Sequence, residues 1–210
     1  RFDALLADLS ACRPQSLVQS FSPETFADLA SSPVARAAAG SDILCVCYGP
    51  FVQKPLDAMS LQDWQAAALL DYALPGFLVS RALPGMKERG WGRILLFGGT
   101  GTESRREFLT NAAYAGAKTA VGTLVQSVAA SYAPYGITCN ALLPGFTQTE
   151  YTETVSGPGG AAALARKMPG GRLISAQSAA RAAFFLLQQP DINGALLRCD
   201  RGWSPLCPSL

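Results

Sequence analysis

Four apolar runs constrain this chain more than anything else in it: DILCVCYG at 42–49, RILLF at 93–97, ITCNALL at 137–143 and ALLRC at 195–199. Each has the length of a strand and gives way to a glycine, a proline or a charged residue. A continuous apolar run of that length suits a strand covered on both faces, as in a parallel sheet. Between the runs lie stretches with the three-and-four spacing of helices. Strand alternating with helix predicts an α/β fold, a doubly wound and mostly parallel sheet with helices on both faces. The 210 residues, 49% of them hydrophobic, fit a single domain over 1–210. A chain of that size buries roughly 70% of its unfolded surface.

Local signals fill in the order. ALLAD at 4–8 reads as a short further strand. Residues 23–39 read as one helix, with Pro23 in its first turn and Gly40 as its stop. Ser60 and Asp63 have the spacing of a capping box and open a helix toward Tyr72. Pro75 is expected to kink or interrupt that helix, which resumes to about Lys87 before Gly90 ends it. Further helices are expected over 113–132 and 176–187. The Gly- and Ala-rich stretch 151–171 reads as a mobile loop with a short helix, and 151–175 as a cover over a substrate site.

Composition narrows the chemistry. Histidine is absent, which removes Ser-His-Asp and Cys-His nucleophiles and the usual zinc ligand set. No metal site is expected, and acid-base work falls to Tyr, Lys, Asp, Glu or Cys. Lys plus Arg number 17 against 15 Asp plus Glu, so nothing in the charge calls for nucleic acid or an anionic membrane. No apolar run is long enough to span a bilayer, and Arg1-Phe2-Asp3 does not resemble a signal peptide. Of six cysteines, Cys45, Cys139 and Cys199 fall in strand-like runs and read as free core thiols. Free thiols suit a reducing compartment, and a cytoplasmic location is the expectation.

The run NAAYAGAKTAV at 111–121 raises the question of function. Tyr114 and Lys118 are four apart among small residues, so phenol and ammonium share one helix face. That face continues as Val121, Val125, Val128 and Tyr132. Parallel sheets bind ligands at the carboxyl ends of their strands. Here those ends are Gly49-Pro50, residues 98–102 and residues 144–149.

These residues together resemble the short-chain dehydrogenase/reductase family. Tyr114 and Lys118 fit its Tyr-x-x-x-Lys pair, and GITCNALLPGFTQT at 136–149 is similar to its strand ending in Pro-Gly with a Thr beyond. LPGMKERGWGRILLF at 83–97, MPGGRL at 168–173 and NGALLRCDRGW at 193–203 follow in the family's order, nearest in kind to 3-oxoacyl-carrier-protein reductases. The resemblance implies a Rossmann-like fold and an NAD- or NADP-dependent oxidoreductase acting on a small carbonyl/alcohol pair. It implies Tyr114 as acid/base. Lys118 would favour the phenolate and also bind the nicotinamide ribose. It places the dinucleotide against Asp8, Leu9, Val46, Tyr48, Gly49, Tyr114, Lys118, Pro144, Gly145, Thr147 and Thr149. It further implies a homodimer or homotetramer built on the helices over 63–87 and 113–132.

Four departures stand out. The family's glycine-rich phosphate loop is missing. ALLADLS looks like the family's third strand, which would leave the sequence short of about 50 to 60 residues at its start, enough for two strands and a helix. The family's Asn-Asn-Ala-Gly reads Val46-Cys47-Tyr48-Gly49. The helical Asn that helps hold a proton-relay water is replaced by Asp71. The catalytic serine's place falls on Gly99 or Gly101 by two different counts; Thr100 is the favoured substitute hydroxyl, then Thr102, then Ser104 or none. These departures keep open an alternative, a catalytically impaired member acting as a binding or assembly subunit.

Overall fold

The computed structural model describes residues 26–150, 152 and 159–203. The 4–8 run, with Asp8 and Leu9, lies outside them, as do Pro23, Cys12, Cys207 and most of the first part of the expected cover. Four strands, β1 (Ile43–Val46), β2 (Gly92–Phe97), β3 (Ile137–Pro144) and β6 (Leu196–Cys199), form one parallel sheet in the order β1-β2-β3-β6. A two-stranded parallel ladder joins β4 (Thr147–Gln148) to β5 (Ile174–Ser175). The helices are α1 (Pro33–Ala39), α2 (Leu61–Ala66), α3 (Leu74–Arg89), α4 (Ala112–Tyr132), α5 (Gly160–Lys167) and α6 (Ala176–Gln188).

Strand alternation assigns the two cores. Ile94 and Leu96 of β2, with Ile137, Cys139, Ala141 and Leu143 of β3, pack with Leu78, Val79 and Met86 of α3 and Val121 and Val125 of α4. Leu95 and Leu142 face the other way, toward Leu186 of α6. Side chains two apart share a face of the pleat, so both sides of the inner strands must be apolar, and both are covered. The doubly wound architecture expected from the sequence is present.

β1 departs from expectation. Leu44 and Val46 are buried, but Ile43 is 51% exposed and Cys45 is exposed too. The α6 core reaches Leu95 and Leu142 only, and β1 stands at the end of the sheet, so its second face has no cover among the described residues. Among the described residues Cys45 is thus exposed and not in the core, whereas Cys139 is fully buried and Cys199 half-buried. The helix expected over 23–39 is also divided. Phe26–Ser31 is a 3₁₀ turn, and Ser32 caps α1 by accepting from the Ala35 N–H at 3.1 Å, with Pro33 in the first turn.

The Ser60 capping box forms as expected: Ser60 Oγ accepts from the Asp63 N–H, and Asp63 Oδ2 accepts from the Ser60 N–H at 2.9 Å. Pro75 does not break the helix that follows. Residues Ala67–Ala73 widen into a π-helix, and the Leu74 N–H reaches back to the Leu69 carbonyl, five residues away. Pro75 has no N–H to give the Asp71 carbonyl four residues back, and its ring crowds that carbonyl. One wider turn before it absorbs the conflict, so Leu61–Arg89 runs unbroken for 29 residues. That helix is long and apolar enough to match a membrane span, but half of its most apolar stretch is buried against the sheet, as in a core helix.

Candidate functional site

The exits of β1 and β2 and the first turns of α4 converge on Tyr114. Asn111 precedes α4, and Ala113 and Ala115 are buried beside Tyr114. Lys118 follows one turn later and is 6% exposed. The stripe continues as Val121, Val125 and Val128, all buried, as the spacing predicts. Phe51, just past the β1 exit, meets the Tyr114 ring edge-on with centroids 4.9 Å apart. Gly99 lies against the Tyr114 hydroxyl: a Cβ there would sit 3.1 Å from it.

The Lys118 ammonium is not directed at the phenol. Its Nζ lies 3.0 Å from Asp71 Oδ1, donates to the Tyr48 carbonyl at 3.4 Å, and stands 5.8 Å from the Tyr114 ring centroid. Asp71 is fully buried, and beyond this ion pair neither of its oxygens has a hydrogen-bond partner. Burial raises its carboxyl from an ordinary 3.8 to about 6, against the pull of the Lys118 charge. Burial likewise pushes the Tyr114 phenol up, and the Asp71 charge adds to that push. This corrects the expectation that Lys118 favours the phenolate: the ammonium is matched to a carboxylate instead.

Gly49 makes the pairing possible. A Cβ built at Gly49 would stand 1.9 Å from Asp71 Oδ1 and 2.9 Å from Lys118 Nζ. Its φ of 153° is also one that side-chain-bearing residues rarely adopt. The missing side chain at this strand exit is therefore filled by the ion pair.

Asp71 links the site to pH. A carboxyl raised on folding contributes stability that is fully present below its unfolded value and lost as pH rises through its folded value. A rise of about two units corresponds to about 3 kcal/mol. The stability of the protein minus that of its Asp71→Asn variant should therefore fall by about 3 kcal/mol between about pH 4 and pH 7. Denaturant titrations across that window measure it, and a difference independent of pH would contradict the burial of an ionisable Asp71.

The other expected residues divide. Val46 is a core residue of β1, and Tyr48 offers its carbonyl to Lys118. Thr100 does not meet Tyr114: its hydroxyl donates to Asp200 Oδ2 at 2.5 Å. Thr102 is 3% exposed and braces the turn, donating to the Gly99 carbonyl and accepting from the Gly99 N–H. Neither threonine stands in for the family serine in this geometry; the position beside the phenol is Gly99. Gly145 packs on Asp200, where a Cβ would come within 2.9 Å. Pro144 ends β3; beyond it Thr147 donates to the Gly145 carbonyl, and Thr149 pairs with the Thr152 hydroxyl at 3.0 Å.

A second polar cluster was not foreseen. Asp200, just past β6, is 4% exposed and accepts from Thr100, from Arg198 Nε at 2.7 Å and from the Gly202 N–H at 3.1 Å. Arg198 also reaches Glu103 at 3.5 Å. Arg198 within ALLRC, with Asp200 and Arg201 just after it, was the signal available in the sequence. A cavity of about 230 Å³ beside this cluster is lined by Arg172, Arg198 and Arg201 among others; Tyr114, Lys118 and Asp71 do not line it.

A family model described as Enoyl-(Acyl carrier protein) reductase matches residues 22–204. The chain is 30% identical to D-beta-hydroxybutyrate dehydrogenase of Rhizobium meliloti, over 62% of this chain and 50% of that one. It is 29% identical to the vibriobactin-specific 2,3-dihydro-2,3-dihydroxybenzoate dehydrogenase of Vibrio cholerae, over 73% of this chain and 61% of that one. It thus spans from half to about three fifths of the length of these curated relatives. Among solved structures, a gluconate 5-dehydrogenase from Burkholderia cenocepacia in complex with NADP and tartrate superposes with a TM-score of 0.70 at 28% identity. That match covers 86% of this chain and 69% of the other.

Proposed function

The chain belongs to the short-chain dehydrogenase/reductase family, and from that membership we propose that it is an oxidoreductase that transfers hydride between a nicotinamide cofactor, NAD or NADP, and a small carbonyl/alcohol pair. The observation that carries this is Tyr114 and Lys118 on one helix face at the carboxyl end of a parallel sheet. The relatives above are named as dehydrogenases, and one related structure holds NADP, which supports the active reading over a catalytically impaired subunit.

The donor set fits a nicotinamide ribose. Lysine carries three N–H donors, and Lys118 directs two at Asp71 and Tyr48. The third is left for a ribose hydroxyl. The β3 exit, with Gly145, Thr147 and Thr149, would flank the nicotinamide. When bound, the cofactor supplies or accepts the hydride. Tyr114 gives a proton to the oxygen of the reacting carbonyl, or takes it back from the alcohol. Lys118 orients the ribose and, through Asp71 and Tyr48, is itself held in one place. Thr100 acts on the loop through Asp200 and not on the substrate.

A homodimer or homotetramer through the 63–87 and 113–132 helices is part of the proposal. Trp64 and Tyr72, both exposed on the first of these, support it. A cytoplasmic location goes with it. Calorimetric titration with NADH and NADPH, followed by a panel of small ketones and aldehydes, tests the function. Binding of one dinucleotide with substrate-dependent oxidation is expected; binding of neither would overturn the proposal.

A further inference from the structure

We propose that Asp71 uses up the Lys118 ammonium and so keeps Tyr114 in its protonated form, which sets this site to deliver a proton to a carbonyl oxygen in preference to taking one from an alcohol. The inference deepens the proposed function and rests on it for the identity of the reaction, but its physical core concerns only this chain's own side chains.

The geometry carries it. Asp71 is fully buried, and among the described residues its ion pair is with Lys118 at 3.0 Å. The π turn before Pro75 places this carboxylate at the site, and Gly49 leaves it room. Three elements and its own helix bring groups to Tyr114 among the described residues. Its own helix brings Lys118, the π turn brings Asp71, the β1 exit brings Phe51, and the β2 exit brings uncharged Gly99. Cys47, also at the β1 exit, is a further titratable group within electrostatic reach of Lys118. An ammonium alone beside a phenol favours the phenolate, whereas an ammonium already matched by a carboxylate leaves little net charge to do so. Burial then decides, and burial favours the neutral phenol. A protonated Tyr114 can donate at once. To act as a base it must first lose that proton against the same burial.

The test reads the tyrosine directly and needs no cofactor. Tyrosinate absorbance near 295 nm is followed against pH for the protein and its Tyr114→Phe variant, and the difference isolates Tyr114. In Asp71→Asn the Tyr114 transition should move down by about one pH unit or more, because the ammonium is released toward it. Lys118→Met should raise the transition by about one unit in either background, because in the native protein the Asp71 charge is left uncompensated and in Asp71→Asn the phenol loses its nearest cation. The opposite signs of the Asp71 and Lys118 changes are the signature of the proposed pairing. Circular dichroism checks each fold, and should Asp71→Asn not fold, Asp71→Ser replaces it in the same scheme. With a substrate in hand, the alcohol-oxidation limb of the pH profile should shift with the transition while carbonyl reduction changes little. An unmoved Tyr114 in the Asp71 variants, or a Tyr114 transition that does not rise in Lys118→Met, would overturn the inference. Loss of turnover in Tyr114→Phe would then still leave the oxidoreductase reading standing.

Discussion

Tyr114→Phe is expected to lower turnover by about 10²- to 10⁴-fold, the worth of one positioned acid/base, while dinucleotide binding survives. The change removes one oxygen and keeps the ring that meets Phe51 edge-on. It leaves Asp71 and Lys118 paired, because their 3.0 Å contact does not pass through the phenol. The fold cost should therefore be small, and the loss should appear in kcat with little change in the dinucleotide Kd. Steady-state kinetics beside a binding titration separate the two. Full activity in the Phe variant would remove Tyr114 from the chemistry.

Gly49→Ala is expected to damage the site and the fold together. The new Cβ would fall 1.9 Å from Asp71 Oδ1 and 2.9 Å from Lys118 Nζ. No rotation of Ala relieves this, so the ion pair or the strand exit must move. Separating a buried pair typically costs about 3–5 kcal/mol, because one charge is left without its partner. Strain at a φ of 153° adds to that. Denaturant titration should show a loss of that size at neutral pH, accompanied by loss of dinucleotide binding. A variant as stable as the native protein would mean that the Asp71–Lys118 contact is not held as described.

The strands were legible because each is an apolar run closed by a Gly, Pro or charged residue, and a parallel sheet with both faces covered admits little else. Tyr114 and Lys118 were legible because a spacing of four on a helix leaves their relative direction almost no freedom. Asp71 was brought to the site by the family resemblance, but its direct pairing with Lys118 was not legible, because it depends on the π turn. A sequence read with uniform helical phase predicts a kink at Pro75, and it was the widened turn before that proline which set where the Asp71 side chain points. The Thr100–Asp200 contact was hidden for a related reason. Within a loop, adjacent residues point in different directions; one of the two counts reached Gly99, which does face the phenol, but no count says where the hydroxyls beside it point. Asp200, the partner of Thr100, lies 100 residues away, beyond the last strand. Cys45 could not be placed either, since whether a strand face is covered depends on elements distant in the sequence.

The most direct test of hydride chemistry at this site is transfer of label. The protein is incubated with a reduced nicotinamide dinucleotide carrying deuterium at C4 of the ring and with a ketone found active in the panel, and the alcohol product is examined by mass spectrometry. Hydride transfer predicts one deuterium on the carbinol carbon, at a rate that collapses in Tyr114→Phe. Alcohol formed without deuterium from either face of the cofactor, or labelled alcohol formed at an undiminished rate by Tyr114→Phe, would contradict it.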